Sequence, residues 1–167
     1  CGQCSVTCPN GYDMAEICLS ARRNMVATGK MSLAVHEFAL YDQIFSNTEA
    51  FLCRSEPGYE TSKYVFFPGC QAGAIAPEAV YRAYADLRAR LSGGVGILLG
   101  CCGIISNWAG REELFNETRE TLKAELKKLG DPVIITACPS CTRTLREAGV
   151  GECKPVWDVL LELGLPE

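Results

Sequence analysis

Tyr64-Val65-Phe66-Phe67-Pro68-Gly69-Cys70 is the stretch whose reading decides the fold. Four consecutive apolar residues, too few for a helix, read as a strand, and Pro-Gly punctuates it before a cysteine. Two further apolar runs share this form: residues 95–99 lead into Gly100-Cys101-Cys102-Gly103, and residues 133–137 into Cys138-Pro139-Ser140-Cys141. Between the runs lie helical stretches. Residues 77–91 open on Pro77, which suits a first helical turn, and residues 111–129 end at Gly130. A short helix follows the third strand through Arg146 and stops at Gly149. A brief fourth strand at 154–156 and a last helix at 159–163 complete the pattern. Continuously apolar strands separated by amphipathic helices argue for a parallel sheet covered on both faces.

Upstream the rhythm is different. Residues 13–26 place Met14, Ile17, Cys18, Ala21 and Met25 three and four apart, one face of a helix. A second helix is expected over 32–45, with Leu33, Val35, His36, Phe38, Ala39, Ile44 and Phe45 on its apolar side. Turn residues at 46–48 and 56–58 bracket a short third helix, and no strand is expected before Lys63. The expected class is α/β, a Rossmann-like parallel sheet of about four strands with flanking helices, preceded by a small all-helical segment.

The totals narrow the function. With 167 residues, 48% apolar and 22% charged, the chain is globular, and its net charge of −4 comes with no basic run. Nucleic acid and anionic membrane surfaces are therefore poor partners. The apolar runs are far too short to cross a bilayer. Eleven cysteines, an odd number that includes an adjacent pair, do not form a secreted disulfide framework. With no secretory leader visible, the expected location is cytoplasmic, with any membrane association through partners. The start at Cys1, inside a motif, reads as a cut.

Parallel strands bring their C-terminal ends to one edge, where open α/β folds bind ligands. Cys70, Cys101, Cys102, Cys138 and Cys141 each follow such a strand, so they are expected to converge. Thiolate is a soft ligand for iron–sulfur clusters, zinc or copper(I). A four-coordinate zinc would leave one cysteine over, whereas a cluster accommodates the fifth. A dithiol pair at Cys138-Pro139-Ser140-Cys141 would leave Cys70, Cys101 and Cys102 without a purpose. Cys18 and Cys53 read as plain thiols, Cys153 as a candidate to approach the pocket, and Trp108 as a core residue. No carboxylate pair or Ser/His/Asp set emerges, so catalytic residues are unknown from sequence.

The five-cysteine array resembles the cysteine-rich CCG domain of heterodisulfide reductases and related iron–sulfur oxidoreductases, over residues 63–164. The resemblance implies a noncubane [4Fe–4S] cluster ligated by Cys70, Cys101, Cys102, Cys138 and Cys141, with zinc as the alternative. The opening Cys1-x2-Cys4-x3-Cys8-Pro9 resembles the end of a bacterial-type ferredoxin motif. Such a module precedes CCG domains in fused heterodisulfide reductases and in glycolate, lactate and glycerol-3-phosphate oxidation systems. By resemblance, residues 1–60 are the C-terminal part of a helical ferredoxin-like 4Fe–4S module with its linker, and 61–167 the CCG domain. Cys1, Cys4 and Cys8 would serve a cubane only in a longer protein. The implied function is an iron–sulfur oxidoreductase subunit for electron transfer, whose cluster either cleaves a disulfide or only relays electrons. Its partners would be other redox subunits or domains and a disulfide- or quinone-linked protein. The alternative is a zinc-binding structural module without redox activity.

Overall fold

The computed structural model describes residues 2–164, apart from the side chain of Leu33. Helices α1 (Gln3–Val6), α2 (Met14–Ala27) and α3 (Glu37–Asn47) come first, followed by strand β1 (Leu52–Arg54). Strand β2 (Tyr64–Phe67) leads through α4 (Cys70–Ile75) and α5 (Pro77–Arg90) to β3 (Val95–Leu99). Helices α6 (Ile104–Trp108) and α7 (Glu112–Lys128) connect to β4 (Val133–Thr136). Then α8 (Pro139–Glu147), β5 (Cys153–Pro155) and α9 (Val156–Leu163) follow.

The strands form one sheet in the order β1-β3-β2-β4-β5. Strands β2 to β5 run parallel, with Val65 beside Gly96 on one side and beside Ile134 on the other. From central β2 the chain steps out to β3, then returns past β2 to β4. That reversal opens a crevice at the C-terminal ends of the strands.

Side chains alternate across the sheet as the pleat requires. Val65, Phe67 and Ile134 pack with Leu122 and Leu126 of α7 and Leu145 of α8. Phe66, Val95 and Ile135 face the other way, against Leu87 of α5 and Val159 of α9. Burying each of Phe66 and Phe67 contributes about 1.5–3 kcal/mol, and both are fully enclosed. Helix α7 also carries Glu112 and Glu113 in its first turn and Lys127 and Lys128 in its last, matching its dipole.

The parallel sheet, its flanking helices and the helical N-terminal segment are as expected. Three local expectations are corrected. First, residues 52–54 form a strand where a short third helix was expected, because the open edge of β3 offers unpaired backbone groups. Leu52 pairs with Leu99 and Arg54 with Ile97, antiparallel. Second, α2 and α3 present reversed faces to the sheet domain. Met14, Ile17 and Met25 stay exposed, while Leu19, Arg22, Arg23 and Val26 are the more covered side of α2. On α3, Phe38 is 87% exposed and the buried residues are Gln43 and Ser46. The expected role of the Leu33 side chain lies outside the described residues. Third, Trp108 is not a core residue: its ring is exposed, and its carbonyl accepts a hydrogen bond from Arg22.

Candidate thiol site at the C-terminal edge of the sheet

Each of the three βα turns delivers cysteines to the crevice. Cys70 begins α4 directly after β2, Cys101 and Cys102 link β3 to α6, and Cys138 caps α8 while Cys141 sits in its first turn. Cys101, Cys102 and Cys141 are 1%, 4% and 3% exposed, whereas Cys70 and Cys138 are half-buried. The site is therefore closed toward the core and open along Cys70 and Cys138.

Two glycines make this gathering sterically feasible. Gly69 holds φ 86° and ψ 158°, a region that only glycine occupies readily. A Cβ there would lie 3.3 Å from both Cys138 Cβ and Cys141 Sγ. Bare backbone at Gly69 thus lets the β2 turn press against the Cys138–Cys141 turn. Gly103 is left-handed at φ 84°, and a Cβ would meet Phe115 and Thr118 at 3.1 Å. This is the physical demand for glycine after the cysteine pair.

The third turn is braced from within. Thr142 donates to the Cys138 carbonyl through both its amide, at 3.0 Å, and its hydroxyl, at 3.1 Å. With that proton so placed, its hydroxyl oxygen accepts from the hydroxyl of Thr136 at the end of β4, 2.5 Å away.

The thiols influence one another in sequence. Interaction with the Cys101 thiol, and then burial, pushes Cys70 far above the ordinary thiol range. Interaction with Cys102 raises Cys101 to about 12, with burial adding to it and Cys70 opposing it. Cys101 lowers Cys102, but Cys141 and burial outweigh that and carry it to about 12. The amides of Gln71, Gly103 and Ile104 face these three sulfurs and pull the other way, favouring thiolate. At neutral pH these three groups are thiols. Among the described residues no three Cys, His, Asp or Glu side chains share one centre. The sulfurs are gathered as a chain of neighbours. To hold one metal or cluster these sulfurs would have to lose their S–H protons and draw closer together.

The donor set fits a thiolate-held metal or cluster. It is all sulfur, its inner members are shielded from water, and Gly69 leaves the space a Cβ would fill. The other cysteines stand apart. Cys153 lies at the start of β5, buried in the core and paired with Ile134, short of the C-terminal strand edge that carries the other thiols. Cys53 sits half-buried on β1 and Cys18 is exposed on α2. Cys4 is exposed on α1 and Cys8 half-buried just beyond it. Cys1 lies outside the described residues.

One group of residues was not apparent from the sequence. Asp42, Gln43 and Asn47 of α3 reach the turns that carry Cys70, Cys101 and Cys102. Asn47 Oδ1 accepts from the Cys101 amide at 2.7 Å, and its Nδ2 donates to the Cys101 carbonyl at 3.2 Å. Gln43 Oε1 accepts from the Ser106 amide at 2.9 Å, and its Nε2 donates to Ser106 Oγ at 3.0 Å. Gln71, next to Cys70, donates to Asp42 at 3.1 Å. The only available hint was the four-residue spacing of two polar residues on a helix, which is common on solvated faces.

Fold and site together define a parallel α/β domain with a cysteine-lined ligand edge. The chain contains a cysteine-rich CCG domain, whose family model matches residues 64–146. The match runs from the first residue of β2 into the last turn of α8 and so contains all five gathered cysteines. No curated protein and no solved structure matches the chain.

Proposed function

We propose that this chain is an electron-transferring part of an iron–sulfur oxidoreductase of the heterodisulfide reductase type. Cys70, Cys101, Cys102, Cys138 and Cys141 would hold a [4Fe–4S] cluster of the noncubane type. The observation that carries the reading is the delivery of five thiols by three successive βα turns to one partly shielded crevice. The CCG family is associated with iron–sulfur oxidoreductases. Such a cluster supplies one-electron chemistry, with its potential set by ligands, hydrogen bonds and exposure.

The chain's own residues would do the rest. Gly69 and Gly103 shape the turns, and the Gln71, Gly103 and Ile104 amides stabilise anionic sulfur. The half-buried Cys70 and Cys138 leave the approach along which a disulfide substrate or redox partner would come. Asp13, the N-cap of α2, is bonded to Ser5 of α1 and also feels the charge of Arg143, one turn beyond Pro139. Electron passage between the segment carrying Cys4 and Cys8 and the crevice is part of this reading. Domains of 1–60 and 61–167 would then act as donor and acceptor halves. The exposed apolar faces of α2 and α3 suit docking of further redox subunits or domains. Among the described residues no helix is long and apolar enough to cross a membrane. A cytoplasmic place, with any membrane association through partners, belongs to the same proposal.

Iron, acid-labile sulfide and zinc per chain, measured on anaerobically prepared protein with EPR of oxidised and reduced samples, test the reading. About four irons and four sulfides are expected, lost in Cys101→Ala and Cys138→Ala and kept in Cys18→Ala. One zinc with no EPR signal after iron–sulfide reconstitution would replace electron transfer with a zinc-held structural module.

A further inference from the structure

We infer that α3 is a positioning element of the thiol site. Asn47 and Gln43 grip the two ends of the Cys101–Ser106 turn and hold it in the shape that presents Cys101 and Cys102. The consequence for metal binding rests on the function proposed above, whereas the grip itself rests on geometry alone.

The Cys101 peptide unit is buried at the end of β3, beyond the last paired residue of the strand. Its N–H and C=O need partners, since an unpaired buried backbone group is costly. A primary amide is the side chain that offers an acceptor and a donor side by side, and Asn47 supplies both to this one residue. One helical turn earlier, Gln43 does the same at Ser106, and Ser106 Oγ passes the constraint to the Gly103 carbonyl at 2.7 Å. Gln43 is 1% exposed and Ser106 fully buried, so water does not compete for these bonds. Gly100 admits the grip, because a Cβ there would lie 3.0 Å from Asn47 Oδ1.

Simple attachment of α3 to the sheet would be served by its apolar side. Instead Phe38 and Phe45 face solvent, and directional amide bonds fall on the residues that flank the cysteines. The Asp42–Gln71 bond adds a contact beside Cys70. Among the described residues α3 makes no side-chain hydrogen bond to the Cys138–Cys141 turn, which Thr142 braces locally. The grip is therefore selective for two of the three cysteine turns.

The test uses the whole chain in two states. In the metal-free protein, iodoacetamide alkylation is followed cysteine by cysteine with mass spectrometry. Asn47→Ala is expected to speed modification of Cys101 and Cys102 at least about tenfold, leaving Cys153 in the core unchanged. Gly100→Ala, which displaces Asn47 without removing it, should act in the same direction and stands in if Asn47→Ala fails to fold. In a second state, cobalt(II) titration is read from its thiolate charge-transfer band. Asn47→Ala should weaken binding about 10–100-fold. Equal acceleration at Cys101 and Cys153, or rates within about twofold of the parent protein, would reduce α3 to a general stabiliser and overturn the inference. A parent protein that takes up no metal would defeat the proposed function, while the alkylation contrast would still decide the grip.

Discussion

Gly69 and Cys141 stand so close that a single methyl group would crowd them: a Cβ on Gly69 would lie 3.3 Å from Cys141 Sγ. The two residues are 72 apart in the chain and belong to turns after different strands. Their proximity follows from the parallel pairing of β2 with β4, where Phe67 lies opposite Thr136.

Gly69→Ala should therefore act on stability and on the site together. The backbone at φ 86° and ψ 158° costs a residue with a side chain about 1–3 kcal/mol. The new methyl also pushes the Cys138–Cys141 turn away from Cys70. Urea unfolding of the metal-free variant should show that loss, and metal content per chain should drop well below the parent's. Unchanged metal content in a destabilised variant would separate the glycine from the site.

Metal loading should weaken in acid. Cys101 and Cys102 are held up at about 12 and Cys70 higher still, so each is a thiol at neutral pH and must surrender its proton to bind. Every proton released makes the apparent affinity fall about tenfold per pH unit lowered. Competition titrations at several pH values with one chelator measure this slope. A flat profile would mean that these thiols are not ligands.

The metal-free fold should weaken in alkali. Burial pushes Cys153 up to about 11, against an ordinary value of 9.0, with Arg146 opposing the shift. Below the ordinary value the thiol is protonated in both folded and unfolded chains. Above it the unfolded chain ionises while the folded one does not, so this contribution to stability is lost as pH rises toward 11. The loss approaches about 2–3 kcal/mol. Urea unfolding across that window should show it in the parent protein, and Cys153→Ala should remove that part of the slope.

Glu56, in the turn after β1, ties three elements together. It accepts the Val95 amide at 2.7 Å and pairs with Arg88 of α5 at 2.9 Å. Burial alone would raise its carboxyl, but the Val95 amide and the Arg88 guanidinium together hold it below the usual carboxylate value. Its stabilisation is therefore present above that value and lost as pH falls through the lowered one. Glu56→Gln should cost about 1–3 kcal/mol at neutral pH. The difference from the parent protein should vanish in acid, and a constant difference at all pH values would exclude the ionic origin.

The parallel core was legible because its signals are local. Residues 64–67, 95–99 and 133–137 are apolar runs ended by glycine, proline or cysteine, and a buried parallel strand needs little more. The cysteine turns followed at once, since strands of one direction share a C-terminal edge. Strand β1 was not legible: three residues become a strand only because β3 has a free edge to pair with. Helices α4 and α6 were also missed, as each is a single turn or so that starts within the cysteine loops themselves. Cys153 looked like a candidate for the pocket, yet its place at the start of β5 puts it in the core.

By itself the sequence determined the α/β pattern and the position of five thiols behind three strands. Both are written in nearest-neighbour chemistry, as runs of apolar residues and the turns that end them. Only the tertiary structure decided which faces of α2 and α3 meet the domain, and it chose the ones that periodicity disfavours. Hydrophobic patterning records how much of a helix is apolar and on which side, but not whether that side finds a surface. Gln43 and Asn47 are directed inward because the turn from Cys101 to Ser106 leaves buried peptide groups without partners. That need arises from residues more than fifty positions away, and it becomes visible only when the chain is folded.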